Sequence, residues 1–596
     1  MSVSLASRLV VSLSLVTGTL GGLLACSATQ TTGPSPTGTS GAGANGGSGG
    51  SLAVTTGAGG SLAVGPSSGA GGSTECDGAS EKTSSGCDYY SVVPDMVAGA
   101  NGGCFAAFVV NPQAIEVGVE VDYAGAKLDV GKFAYVPKGA GASLTYSPLP
   151  SGKIPPGEVA ILFLNRFGFS PLGLNTDCPP GIVPAITAID AAKHGTGIGH
   201  AFHITTSHPV VAYDIYPYGG GQSAMTSATL LLPTTAWGDN YVAVSPNGNG
   251  VGFGAFGSLP VLDIVASQDG TVVDIAPKVA ILAGADGVQA TAKDAVGTYT
   301  LNRGQVLQLA QVEALDGSAI KANVPVGVWA GMNAFALEEC CNDSAHQQIP
   351  PVRALGSEYV GVRYRNRYPG IEETPPWRIV GAIDGTTLTW EPAPPPGAPT
   401  SLAAGQVATF KTAGPFVVRS QDDKHPFYMA AYMTGGGVYD PSNSNPNAKQ
   451  DGRGDAEYVN VIPPGEYLDR YVFFTDPTYP ETNLVVVRKK GSSGFEDVEL
   501  DCRGKLDGWQ PIGSSGQYQY TYVDLVRFNF QPQQGCDNGR REMKSSLPFG
   551  LTVWGWGSAD TGEFFNGFMT QYVSYAYPGG ASVAPINDVV VVPNPK

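Results

Sequence analysis

The chain is 596 residues long with a net charge of −17, only 14 % charged residues and no Lys/Arg block, which argues against electrostatic capture of nucleic acid or anionic lipid. Glycine (82) and proline (46) together exceed a fifth of the chain, a composition that forms turns readily and long surface helices poorly, so it points to β structure. After residues 9–24, no apolar run reaches the roughly 18 residues that a spanning helix needs.

Residues 9–24 are themselves too short to span a bilayer stably. They follow a short start carrying Arg8 and end in Leu23-Leu24-Ala25-Cys26, ahead of a polar tract. This is the pattern of a bacterial lipoprotein signal. Residues 1–25 are expected to be removed, leaving Cys26 as a new N-terminus whose thiol is diacylated. Two or more acyl chains give lasting attachment, so the expected membrane contact is an N-terminal lipid anchor. Ser27 is not Asp, which fits transfer to the outer membrane; the expected location is the cell envelope, as an outer-membrane lipoprotein at the surface or in the periplasm. Residues 26–75 are the lipidated Cys and a linker of almost only Gly, Ser, Ala, Thr and Pro, which cannot bury a core. As a Gly-rich coil the linker spans on the order of 40 Å. Fully drawn out it reaches roughly 170 Å.

From Cys76 onward a degenerate repeat of about 100–120 residues is visible, predicting four β units over 76–235, 236–350, 351–460 and 461–596. Asp269-Gly270-Thr271-Val272-Val273-Asp274-Ile275 matches Asp384-Gly385-Thr386-Thr387-Leu388-Thr389-Trp390, and Gly141-Ala142-Ser143-Leu144-Thr145-Tyr146 is read as a weaker copy. Asp-Gly supplies a positive-φ turn, and the residues after it alternate as a half-buried strand does. A Gly-Gln/Glu-Val step follows at Gly157-Glu158-Val159, Gly304-Gln305-Val306 and Gly405-Gln406-Val407. Each unit then closes on a proline taken to open a strand: Pro209, Pro325, Pro426 and Pro548. Short strands at this spacing predict an all-β chain of tandem β-sandwich-like units, stacked in one elongated ectodomain after the N-terminal tether.

Without Cys26, eight cysteines remain: Cys76, Cys87, Cys104, Cys178, Cys340, Cys341, Cys502 and Cys536. An even count in an exported chain reads as up to four disulfides. Cys76 with Cys87, and Cys502 with Cys536, are the nearest candidate pairs; adjacent Cys340 and Cys341 are expected to take separate partners.

Several stretches together resemble the IgGFc-binding-protein N-terminal-like region found in bacterial surface lipoproteins. They include Cys87-Asp88-Tyr89, Gly199-His200-Ala201-Phe202-His203-Ile204 and Pro209-Val210-Val211-Ala212-Tyr213-Asp214-Ile215-Tyr216-Pro217-Tyr218-Gly219-Gly220. Ser227-Ala228-Thr229-Leu230-Leu231-Leu232-Pro233, His346-Gln347-Gln348-Ile349-Pro350-Pro351 and Tyr575-Ala576-Tyr577-Pro578-Gly579-Gly580 continue the pattern. The resemblance covers roughly 76–580 and implies an extracytoplasmic β-rich module. It brings no set of functional residues with it.

Signals for chemistry are weak. His194, His200, His203 and His208 cluster in sequence, but no carboxylate or Cys at ligand spacing accompanies them, so no metal is expected there. Asp440, Asn443, Asn445, Asn447, Asp451 and Asp455 offer hard oxygen ligands for calcium, although solvated turns favour the same residues and the EF-hand spacing is absent. Arg453-Gly454-Asp455 is read as a plain exposed turn. HExxH and GxxxxGK[ST] are missing; a GxSxG match falls in the linker at Ser48, and Ser223 is followed by Met225 where that pattern needs Gly. Adjacent Glu338 and Glu339 point to opposite faces of a strand. Tyr213, Tyr216, Tyr218, Trp554 and Trp556 are read as core residues, with a stacking platform for sugar or protein as the competing reading. The expectation is a non-enzymatic surface lipoprotein without a cofactor, presenting a binding or adhesion surface to an extracellular protein or glycan. A lipid-anchored hydrolase acting on carbohydrate or protein, and a purely structural envelope component, are the alternatives.

Overall fold

The computed structural model describes Cys76 and residues 82–97, 99–168, 176–220, 225–246, 258–337, 343–368, 370–436, 453–557, 563–564, 568–569 and 572–593. A strand that changes partners halfway along organises each β unit. In the first unit it is Phe202–Tyr216: its early residues pair with Ser85–Ser91 and Val117–Tyr123, and its later ones with Phe105–Val110 and Ser227–Leu231. The second unit repeats the scheme on Ala319–Phe335 and the fourth on Gly539–Trp556. In the third unit the same strand is cut in two, Phe416–Ser420 and Phe427–Met433, and the halves lie in separate four-stranded sheets. Each unit is thus a sandwich of two antiparallel sheets bridged, or nearly bridged, by one strand.

The prolines mark the handover. Pro209, Pro325 and Pro548 lie inside continuous strands, and only Pro426 directly precedes one. This corrects the reading of a proline as strand opener. At each handover the strand has left one set of partners and not yet joined the next, so the missing N–H removes no ladder bond. The Asp-Gly turns do lead into equivalent strands, Thr271–Ala276 and Thr386–Glu391, with Gly270 and Gly385 at φ of +70° and +75°. Their counterpart in the first unit is Val117–Tyr123 and not the stretch after Gly141, which precedes the outlying strand Thr145–Pro148.

One tyrosine clasps each handover. Tyr89, Tyr241, Tyr359 and Tyr471 stand in or beside the opening strands and are all at least 98 % buried. Each hydroxyl donates to the carbonyl of the residue after the handover proline: Tyr89 to Val210 at 2.6 Å, Tyr241 to Val326 at 2.7 Å, Tyr359 to Phe427 at 2.7 Å, and Tyr471 to Phe549. The same oxygens accept the N–H of Gly238, Gly356 and Leu468 at 3.0 Å, three residues upstream of Tyr241, Tyr359 and Tyr471. One side chain therefore satisfies two backbone groups that the change of partners leaves unpaired.

The tandem sandwiches are closed into a ring. The last strand of each unit, here called its ring strand, is Ser227–Leu231, Asp343–Gln348, Glu457–Asn460 or Ser574–Pro578. Each packs against the ring strands of the preceding and following units, and the first packs against the last. After three of them a proline caps a short 3-10 turn, Thr234–Ala236, Val352–Ala354 or Pro464–Glu466, which leads into the next unit. After the fourth the chain returns to the first unit: Ser84 N–H donates to Ala581 O at 2.7 Å and Tyr213 Oη to Gly579 O at 2.8 Å. One apolar core accordingly holds side chains from both ends of the chain, Phe108 and Tyr213 together with Phe474 and Tyr577. Residues 584–593 then run over the second and third units, where Asn587 Nδ2 donates to Val352 O and Leu355 O, and Asn240 and Val591 exchange two bonds.

Buried ion pairs join neighbouring units. Arg378 pairs with Asp316 between the third and second, and Arg365 reaches Glu481 and Asp524 of the fourth at 2.5 Å while lying over the Trp556 ring. Disulfides link Cys76 to Cys87, Cys104 to Cys178, and Cys502 to Cys536. Cys26, Cys340 and Cys341 lie outside the described residues.

Tyr359→Phe leaves Gly356 N–H and Phe427 C=O without a shared partner in the core. It is expected to cost about 1–3 kcal/mol, read as a lower urea midpoint at unchanged m. An unchanged midpoint would show that the clasp contributes nothing.

Candidate functional site

The ring strands meet with few backbone-to-backbone bonds between them, so side chains supply the links. His346 N–H donates to Ser227 Oγ at 3.1 Å and Gln348 N–H to Thr229 Oγ1 at 2.8 Å. Asn460 Nδ2 donates to Gln348 O at 2.8 Å, and Asp455 N–H to Ser574 Oγ at 2.7 Å. Ser574 N–H donates to Thr226 Oγ1 at 2.8 Å, closing the circuit from the fourth unit to the first. Gln347 spans the axis: its Nε2 donates to Ala228 O at 2.6 Å and to Ala576 O at 3.1 Å. The residues lining this axis are small or polar because four strands converge there and leave no room for large apolar groups.

Three carboxylates stand among them, at the end of the axis where the ring strands begin. Asp343 Oδ1 accepts the N–H groups of Ser344 and Thr226; Asp455 Oδ1 accepts those of Ala456 and Gly436, each at 2.7 Å. Glu457 Oε1 accepts Tyr458 N–H at 2.7 Å and Ser227 Oγ at 3.4 Å. In each case the second oxygen, Asp343 Oδ2, Asp455 Oδ2 or Glu457 Oε2, has no partner among the described residues. Burial pushes Asp343 well above the usual carboxylate range, with repulsion from Asp455 and Glu457 adding to it. Burial also raises Glu457 strongly and Asp455 to about 8. Arg367, whose charge acts on Asp455, is committed elsewhere: it is fully buried, bonds Glu373 Oε1 at 2.9 Å and donates to Thr434 O and Arg453 O. At the opposite end, the ring strands surround a cavity of about 20 Å³ lined by Leu232, Gln348, Pro350, Asn460, Glu466 and Pro578, among others. That space admits a single water.

Of the sequence-derived candidates among the described residues, Asp455 falls at the axis and the others fall elsewhere. Asp455 is fully buried at the axis, so Arg453-Gly454-Asp455 is not an exposed turn. The reason is register: Asp455 leads directly into the ring strand Glu457–Asn460 and its carboxylate caps that strand. Asp440 to Asp451, together with Ser223, Glu338 and Glu339, lie outside the described residues. Tyr213, Tyr216, Tyr218, Trp554 and Trp556 are all core residues. The four histidines do not converge. His194 lies between Asp95 at 2.8 Å and Asp190 at 3.1 Å, while His203 lies between Asp122 at 2.7 Å and Asp88 at 3.0 Å. His200 meets the Tyr123 ring edge and His208 contacts Ser207. Among the described residues, no three of His, Cys, Asp and Glu are arranged to hold a metal ion.

Asp122 and Asp88 join His203 only through the sheet register, and Asp95 is distant from His194 in sequence, whereas Asp190 lies just four residues before it. Asp455 drew notice only as an oxygen ligand on a loop, and Asp343 and Glu457 were missed for another reason. Their one common signal is an acid at the start of a segment that ends in Ile-Pro-Pro, Ile349-Pro350-Pro351 or Ile462-Pro463-Pro464.

A family model described as IgGFc binding protein matches residues 227–555, from the first ring strand into the last of the long strands. No curated protein matches the chain.

Hydrogen bonds from Asp190 first and Asp95 second raise the His194 imidazole from 6.5 to about 9. A raised folded-state value gives stability that is complete below 6.5 and lost as pH rises through about 9. The stability gap between the native chain and His194→Gln should therefore be largest in acid and close in alkali, as read by thermal melts across that range. A gap that widened with pH would contradict the assignment.

Proposed function

The chain belongs to the IgGFc binding protein family, and from that membership we propose that it is a non-enzymatic cell-surface protein whose β ring binds an extracellular protein. The family match carries this reading, because it covers more than half of the chain and is to a family of binding domains. The construction supports it. Four sandwiches with shared cores and buried inter-unit ion pairs make a rigid scaffold. The ring strands all begin at the end of the axis where Thr226, Asp343, Asp455 and Ser574 lie together. Segments carried on such a scaffold are where recognition is ordinarily placed. We assign the ligand-facing side of the molecule to that end.

No helix among the described residues is long and apolar enough to cross a membrane. In our reading the attachment is lipid on Cys26, with residues 27–75 as a tether to a β ectodomain at the outer membrane. A glycan ligand is the second possibility for the same face.

The purified chain is expected to retain one or more extracellular proteins from an array that includes immobilised immunoglobulin Fc, and to turn over nothing in a panel of glycosidase and protease substrates. Turnover that survived repurification would overturn the binding reading. In cells fed a palmitate analogue, Cys26→Ala should abolish labelling while export continues; undiminished labelling would place the lipid elsewhere or nowhere.

A further inference from the structure

The four units close on three acids that form no ion pair among the described residues. We infer that Asp343, Asp455 and Glu457 are a proton-operated latch: protonated while the ring strands are packed, and loosening that packing when they ionise.

The geometry points to protons. All three side chains are fully buried where ring strands of different units converge. Each has one oxygen bonded by N–H or O–H donors and one oxygen without a hydrogen bond among the described residues, although the Ala576 backbone also faces the Glu457 carboxylate. An ionised carboxylate needs donors on both oxygens, or a cation; a protonated one needs an acceptor for its own O–H. Acceptors are present. Gln347 Oε1 is fully buried and unpartnered, on a carboxamide that both its Nε2 bonds hold across the axis, and Glu457 and Gln347 approach the same residue, Ala576. The acids themselves supply the remaining lone pairs.

Among the described residues, what favours the anions is confined to neutral N–H and O–H donors, the Ala576 backbone included, and to the attraction of Arg367 for Asp455. The first ring strand contributes only Thr226 and Ser227, and the fourth contributes Ser574. On the ring strand of Asp343, His346 is held neutral by burial, which lowers it to about 3. On that of Glu457, Tyr458 stays protonated for the same reason. The fourth unit brings Tyr479, also protonated, and Asp476, a further acid raised by burial to about 7. Arg367 attracts Asp455, but its charge is matched by Glu373, whose carboxyl it holds below the usual range. A metal ion could replace the protons only with a ligand set that the described residues do not form.

The sign follows from linkage. Acids raised on folding contribute nothing unfavourable below about pH 4, where both states are protonated, and they destabilise the folded state progressively as pH rises. Asn and Gln in these positions imitate the protonated carboxyls, keeping one acceptor oxygen and supplying donors on the other side. Asp343→Asn/Asp455→Asn/Glu457→Gln in the full-length chain should therefore fold. Its Tm should come closest to that of the native chain near pH 4 and exceed it by a margin that grows up to pH 8.5, cutting the native loss of Tm between those values by roughly half. The remainder belongs to other buried acids: Asp214, Asp476 and Glu466, raised to about 8, 7 and 8, together with Asp263, raised well above the usual range, and Asp316. Hydrogen exchange gives the second readout: beyond the intrinsic base catalysis, amides of 343–348 and 457–460 should open with rising pH in the native chain and not in the variant. The latch is refuted if the variant loses the same Tm at both pH values, or if calcium raises the native Tm and a chelator lowers it at constant pH.

Discussion

A tyrosine hydroxyl shared between a carbonyl and an N–H lets each sandwich hand one strand from sheet to sheet. Without that bond, the change of partners at Pro209, Pro325, Pro426 and Pro548 would strand backbone groups in the core. With it, a single long strand can serve both layers, and its second half lies beside a ring strand in every unit. The clasp thus fixes where the ring strands run, and the ring strands fix where the four units meet.

That meeting place is chemically unlike the rest of the interior. The cores of the sandwiches are packed with Val, Ile, Phe, Tyr and Trp, whereas the axis is held by Ser, Thr, Asn, Gln and three acids. Four strands that converge without continuous backbone pairing must satisfy their N–H and C=O groups with side chains, which is the work of Ser227, Thr229, Gln347, Gln348, Asn460 and Ser574. A buried polar network of this kind favours one arrangement of the units over others, because any slip leaves several groups unpaired. Its acids then link the closure of the ring to pH, while the apolar cores and the ion pairs of Arg365 and Arg378 hold each seam independently of it.

Much of this was legible in the residues. Gly and Pro abundance with few charges pointed to β structure. The Asp-Gly turns at 269 and 384, the Gly-Gln/Glu-Val steps and the four prolines marked equivalent places in the four units. Their meaning was less accessible. A proline ahead of a β-branched run looks like a strand start, because the strand before it, such as Phe202 to Ser207, is set by pairing with distant residues. The clasping tyrosines went unnoticed because a lone Tyr three residues after a turn has no periodicity to display. Three of the four ring strands lie in stretches that carried the family resemblance, around Ser227, His346 and Tyr575, yet nothing local says that these stretches touch one another. Ring closure depends on contacts such as Ser84 with Ala581, nearly five hundred residues apart, which no repeat pattern encodes.

The placement of a binding face and of the latch at one end of the axis presupposes that the first and fourth units adjoin. A distance measurement between spin labels at Thr83 and Ser582, which face each other across an antiparallel bridge, tests this most directly. Closure predicts the contact distance of neighbouring strands, about 5 Å between Cα atoms plus the reach of the labels. A separation of several tens of ångströms, as four sandwiches in an open row would give, would contradict it.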